Sequence, residues 1–333
     1  MIIPFFIPHS GCPHQCVFCN QNRITGRNKP VVPAAIHDTI AAYLETSVAR
    51  SPVQIAFYGG SFTALPRETQ QDYLEAASPF IKSGRVATIR LSTRPDCIRG
   101  DDPGFLRKYA VSIVELGVQS MDDRVLIQSG RGHTAGDTVN AVAVLKNNGF
   151  TVGLQLMPGL PGDSPERFTE TVRKIIALRP AFVRIYPTLV IRNTPLAELY
   201  ASNRYVPLSL DEAIVLCKNA LIQCERAGID VIRIGLQSTQ ELERPGTILA
   251  GPYHPAFRQL VGSSVLLDEM RAVLAGRKGG EQATLLVHPK EISVAIGQNK
   301  VNRKLLINEF HLRDVHIQPS LHIPKGTVQL KTG

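Results

Sequence analysis

Apolar positions along this chain alternate between two spacings, and the alternation predicts an α/β fold. Short apolar runs at 1–8, 53–58, 86–91, 111–118, 151–157 and 182–190 read as six strands. Between them apolar residues recur at three and four positions, the helical spacing. Ile36, Ile40, Tyr43 and Leu44 form one such stripe, and Phe168, Val172, Ile175 and Ile176 another. Several helix ends carry their own signals. Pro66 opens one, a Thr134/Asp137 capping box starts a second that stops at Asn148-Gly149, and Ser164-Pro165 supplies an N-cap and N1 proline for a third. A shorter helical piece is expected at 103–109, a Ser209/Glu212 capping box opens a helix running to Gly228, and 231–234 is a candidate last strand. Strands alternating with helices at this spacing pair in parallel through right-handed crossovers.

Near residue 250 the pattern changes, which divides the chain into residues 1–250 and a small α+β appendage, residues 251–333. The appendage is expected to hold a helix at 254–274, a Gly-rich basic turn at 276–280, a strand pair at 285–288 and 292–296, a helix at 298–310, and short strands near Val315 and Val328. Charge sharpens this division. The chain carries +9, and residues 271–333 alone hold ten Lys/Arg against four acids. Such a basic tail suits a polyanionic partner such as RNA, and equally a merely soluble cationic surface. No window approaches eighteen uninterrupted apolar residues, so no membrane span is expected. The apolar start lacks a basic leader, and with clustered thiols the expected compartment is the reducing cytoplasm.

The clustered thiols are Cys12, Cys16 and Cys19, in C-x3-C-x2-C spacing within a polar loop that also holds Pro13, His14, Gln15 and Asn20. Three thiols so close can converge on one metal centre, but structural zinc takes four ligands and a cube held by three leaves one iron open. The alternative is a zinc knuckle completed by His9 or His14. Cys217 and Cys224 share an apolar helix face with Ala213, Ala220 and Leu221 and read as core, as does Cys97 beside a strand end. Ligands of parallel α/β folds bind at the carboxyl ends of strands, where the cysteine loop, Gly59-Gly60-Ser61, Arg94-Pro95-Asp96, Gln119-Ser120 and Pro158-Gly159-Leu160-Pro161-Gly162 all fall.

The cysteine spacing, with Phe18 before the last thiol, resembles the signature of the radical S-adenosylmethionine (SAM) superfamily. Further strings are similar to the radical SAM part of the Elongator catalytic subunit. They are Tyr-Gly-Gly-Ser-Phe at 58–62, Thr-Arg-Pro-Asp at 93–96, Glu-Leu-Gly-Val-Gln-Ser at 115–120, Arg-Gly-His-Thr at 131–134, Met-Pro-Gly-Leu-Pro-Gly at 157–162 and Ile-Tyr-Pro-Thr-Leu-Val-Ile-Arg at 185–192. The resemblance implies a partial (β/α)6 TIM-like barrel and a [4Fe–4S] cluster on Cys12, Cys16 and Cys19. S-adenosyl-L-methionine would sit on the open iron, and a flavodoxin- or ferredoxin-type donor would supply the electron. It implies that Gly59, Gly60 and Ser61 meet the cofactor's amino end, Gln119 its ribose and Arg131 its carboxylate, with Gln155 and Met157 beside the adenosyl group. The substrate reading is RNA, as in tRNA modification. Its alternatives are a tetrapyrrole-like or other small molecule, and a zinc-stabilised RNA-binding protein without radical chemistry.

Two departures limit what carries over. Ser92 stands where Elongator-type sequences often have glutamate, and the stretch after Ala250 is too short for an acetyltransferase domain, so acetyl transfer is not implied. Gly297-Gln298-Asn299-Lys300, opening a basic helix, is similar to a strand–loop–helix that clamps nucleic-acid backbone, with Lys300 replacing the usual second glycine. The alternative for this region is a cap on the open side of the barrel. Register is also needed to say whether Arg184 and Tyr186 face the barrel lumen.

Overall fold

The computed structural model describes residues 1–7, 9–21, 31–46, 52–277 and 280–331. The basic stretch 23–30 lies outside them, as do Lys278 and Gly279 of the Gly-rich turn. The described chain groups into two compact units, Met1–Ser209 with Ile222–Tyr253, and Leu210–Leu221 with His254–Gly333.

The first unit is a parallel sheet. Its strands are β1 (Ile2–Phe6), β2 (Gln54–Tyr58), β3 (Thr88–Thr93), β4 (Val111–Gln119), β5 (Thr151–Leu156), β6 (Phe182–Ile185) and, after a short β7 (Val190–Ile191), β8 (Asp230–Ile234). They pair in the order β1-β2-β3-β4-β5-β6-β8, every neighbour parallel. β1 and β8 are left as edges, so the seven strands curl into an open half-barrel. Near-continuous apolar runs explain the pairing, because both faces are covered: Ile55, Ala56, Phe57, Leu91, Leu116 and Ile185 are fully buried.

The candidate last strand at 231–234 forms, as Asp230–Ile234 pairs with β6 and completes seven strands. One expectation about this sheet needs correction: the run at 182–190 breaks after Ile185. Tyr186 N–H closes the ladder on Leu156 C=O at 2.8 Å, and Pro187 has no N–H with which to continue it. Val190–Ile191 instead pairs antiparallel with β9 (Ile248–Ala250). The capping signals fold as read: Thr134 and Asp137 form a reciprocal box, and Ser164 caps the helix that Pro165 opens. Cys217 and Cys224 have no exposed surface.

In the second unit β10 (Gln282–Val287) lies between β11 (Asp314–Pro319), parallel to it, and β12 (Val328–Leu330), antiparallel. The helix Phe257–Leu274 contributes Leu266, Met270 and Leu274 to a core shared with Leu285, Val287, Leu306 and Val315. The expected strand at 292–296 is a short helix, Ile292–Ile296. Its apolar residues sit three and four apart, and Pro289 turns the chain before it. Among the described residues no helix is long and apolar enough to cross a membrane.

Candidate active site at the carboxyl ends of the strands

The residues singled out from sequence converge. Cys12, Cys16, Cys19, Gly59, Gly60, Ser61, Gln119, Arg131, Gln155 and Met157 all line one cavity of ≈ 280 Å³ in the first unit. The glycines bring the first two loops into contact. A Cβ on Gly60 would lie 2.3 Å from Ser10 C=O and 2.5 Å from Ile7 C=O, so only glycine lets the chain leading into the cysteines pack there. Ser61 N–H then donates to Ser10 C=O at 3.0 Å, and Ser61 Oγ stands 3.5 Å from Cys12 Sγ.

Burial, together with Cys16 and Cys12, pushes the Cys19 thiol up to about 12. Bound metal reverses that preference, since a coordinating thiol is deprotonated outright. Among the described residues no three His, Cys, Asp or Glu side chains are placed to hold one metal ion. One ion with thiolates at ~2.3 Å needs its donors within roughly 4 Å of each other, whereas a cube fixes each thiolate to a different iron. His9 is engaged, its Nε2 accepting from Gln21 N–H at 3.0 Å.

A bulge in β4 shapes the opposite wall. Register shifts between Gly117 and Gln119, and Gln119 adopts φ 69°. Gln155 Nε2 donates to Gln119 Oε1 at 3.2 Å, and Met157 N–H to Gln119 C=O at 2.9 Å, which ties β5 to the bulge. Gly117 leaves room for Arg131, whose Nη2 donates to its carbonyl while Nη1 donates to Cys16 Sγ at 3.1 Å. Arg131 is not a surface cation: it is 6% exposed. Arg94, held by Asp96 at 2.9 and 2.8 Å, donates in turn to the Arg131 carbonyl. Arg131 Nε and Arg94 Nη1 are buried without partners, as are both ring nitrogens of His133. Burial, then Arg131 and Arg94, depress the His133 pKa to about 3, so the imidazole is neutral.

The structure adds a polar network that sequence reasoning missed. Glu115 of β4 accepts from Arg90 Nη2 of β3 and from Arg184 Nε of β6, both at 2.6 Å. Arg184 also donates to Tyr186 Oη at 3.3 Å and to Tyr58 Oη at 3.4 Å, and both tyrosines line the cavity. Burial and Glu115 push the Tyr58 phenol up to about 12, keeping its proton. Arg184 thus faces the lumen, the point that needed register. An available signal was charge inside apolar strands, Arg90 between Ile89 and Leu91 and Glu115 between Val114 and Leu116, since buried charges require partners.

A family model of the Radical SAM superfamily matches residues 6–175, half of the chain, and one of the Radical_SAM C-terminal domain matches residues 180–265. The chain belongs to the radical SAM superfamily. It is accordingly an enzyme of the radical SAM class, in which SAM and a [4Fe–4S] cluster are the general cofactors. This radical SAM chain is 28% identical over 250 residues to tRNA uridine(34) acetyltransferase of Methanocaldococcus jannaschii, covering 63% of this chain and 46% of that protein. It is 32% identical over 189 residues to Elongator complex protein 3 of Saccharomyces cerevisiae, covering 51% and 34%. The chain thus spans about half or less of the length of these relatives. Among solved structures, Methanocaldococcus infernus Elp3 with an N-terminal deletion superposes with TM-score 0.63 at 22% identity, over 84% of this chain and 66% of that one. Escherichia coli coproporphyrinogen III oxidase (HemN) gives 0.50 at 18%, over 68% and 53%, a likeness of fold.

The site's chemistry fits the superfamily's cofactors. Three thiols share one cavity, and the orphaned donors of Arg131 and Arg94 lack an acceptor that an anionic group would supply.

Proposed function

We propose that the chain reductively cleaves S-adenosylmethionine at a [4Fe–4S] cluster on Cys12, Cys16 and Cys19 and takes hydrogen from an RNA-borne base, as in tRNA modification. The observation carrying this is the convergence of the three thiols, the Gly59-Gly60-Ser61 loop and the Gln119–Gln155–Met157 wall on one cavity. When bound, these cofactors supply a 5′-deoxyadenosyl radical that abstracts hydrogen, chemistry that belongs to the cofactor. The protein supplies orientation. Cys12, Cys16 and Cys19 would hold the cluster, and Gly59, Gly60 and Ser61 would receive the amino end of SAM. Gln119, steadied by Gln155, would take the ribose, Arg131 the carboxylate, and Met157 would wall off the adenosyl group. The electron comes from a flavodoxin- or ferredoxin-type donor.

RNA is favoured by the likeness to a tRNA uridine(34) acetyltransferase and by the basic residues 271–333. Anaerobically reconstituted protein is expected to hold about four iron atoms and to release 5′-deoxyadenosine with dithionite, faster when tRNA is added. Zinc in place of iron, with no SAM turnover while all three cysteines are intact, would sink the radical reading. Acceleration by a tetrapyrrole and not by tRNA would overturn the substrate.

A further inference from the structure

We propose that the second unit clamps the backbone of single-stranded RNA at the turn 297–300, between the helix Val301–Glu309 and the sheet edge β11. This deepens the RNA reading above and rests on it for the choice of partner. The turn joins two helices, Ile292–Ile296 and Val301–Glu309. Gly-x-x-Gly turns hold nucleic-acid backbone because nothing but main chain stands between phosphate and protein. Gly297 meets the first requirement: at φ 76°, ψ 161°, a Cβ there would lie 2.8 Å from Val301 Cγ1. Lys300 occupies the second glycine's place in the left-handed conformation, φ 60°, as does Asn299 at φ 52°. The backbone a glycine would provide is therefore kept, and a cation is added to it.

The turn is anchored from beneath. Asn302, 3% exposed, donates to Ser263 C=O at 3.0 Å, Ser263 Oγ at 2.9 Å and Ala295 C=O at 3.0 Å. The first turn bond runs from Lys300 N–H to Gly297 C=O at 3.1 Å, so the amides of Gln298 and Asn299 precede the ladder and remain for a ligand.

Charge and shape agree on the occupant. Residues 297–308 contain no acid. Lys300 and Lys304 are exposed, one at the N-cap of Val301–Glu309 and one within that helix, and neither forms an ion pair among the described residues. Arg303, by contrast, is held by Asp314 and donates to Val315 C=O at 2.9 Å. Beside the lysines Val301 and Leu305 are 44% and 40% exposed, an apolar pair against which bases can lie. β11 bonds β10 alone among the described strands, which leaves an edge whose main-chain groups suit unpaired base edges.

The test is fluorescence anisotropy of the full-length chain with a labelled, mixed-sequence single-stranded RNA of about 12 nucleotides. It is run without SAM across a salt series, with the same sequence as a duplex alongside. Each lost phosphate contact removes about 0.7 from the salt slope, so Lys300→Ala with Lys304→Ala should weaken binding about 25-fold at 0.1 M salt and flatten the slope by about 1.4. Lys300→Gly, which keeps the turn, should lose only its own contact. Unchanged affinity and slope in the double variant would overturn the clamp, as would preference for the duplex or equal binding of polyglutamate. The two proposals fail separately. RNA binding that depends on these lysines without RNA-stimulated 5′-deoxyadenosine release leaves the clamp and removes the RNA substrate, and the opposite result does the reverse.

Discussion

Replacing Gly60 by alanine perturbs the contact that places the cysteine loop. Its φ is not positive, so alanine is conformationally tolerated and the penalty is steric. The new Cβ lies 2.3 Å from Ser10 C=O, a separation that must exceed 3.0 Å, so the backbone leading into Cys12 must retreat by at least 0.7 Å. That displaces the 3.0 Å bond from Ser61 N–H to Ser10 C=O. Overpacking costs about 1–3 kcal/mol and the lost bond about 1 kcal/mol. The functional loss is larger, because a shift of ~1 Å at a reacting centre can cost about 100-fold in rate. Gly84→Ala is the control, outside the cavity. Its Cβ would meet nothing within 4 Å, and only its φ of 71° is strained, at about 1–2 kcal/mol. The assay is iron per chain and 5′-deoxyadenosine release after anaerobic reconstitution. The reasoning is refuted if Gly60→Ala keeps wild-type iron and rate, or if Gly84→Ala is the more damaging change.

Two further outcomes are expected. Glu115→Gln leaves Arg90 and Arg184, with side chains only 7% and 14% exposed, without their shared counter-charge. It should cost about 3–5 kcal/mol in urea unfolding at unchanged m, and a shift under about 1 kcal/mol would show that the triad is not sustaining the sheet. His133 has a folded pKa near 3, below its unfolded value of 6.5, so the native state binds fewer protons between those limits. Its contribution is present above pH 6.5 and is lost at about 1.4 kcal/mol per pH unit as pH falls toward 3. His133→Phe should flatten that slope. An acid limb unchanged in the variant would place the titration elsewhere.

The cavity was legible in the chain because its parts are local. Each of the cysteine, Gly-Gly-Ser and Gln119 loops follows a strand, and parallel pairing puts every strand's carboxyl end on one side. Pro187 could have ended the sixth strand on sequence alone. The run at 292–296 could not have been settled so, because four apolar residues in five satisfy either period until neighbours choose. The strands Asp230–Ile234 and Asp314–Pro319 found their partners through contacts that only the folded sheet supplies.

By itself, the sequence determined the alternation of strands and helices, the three clustered thiols and the glycines that let the loops meet, since these depend on neighbours along the chain. Tertiary structure decided the rest. Glu115 meets Arg90 and Arg184 across separations of 25 and 69 residues, and Arg131 reaches Cys16 across 115. Whether such charges meet depends on strand register and on the bulge at Gln119, and a slip of one residue would turn each to the opposite face.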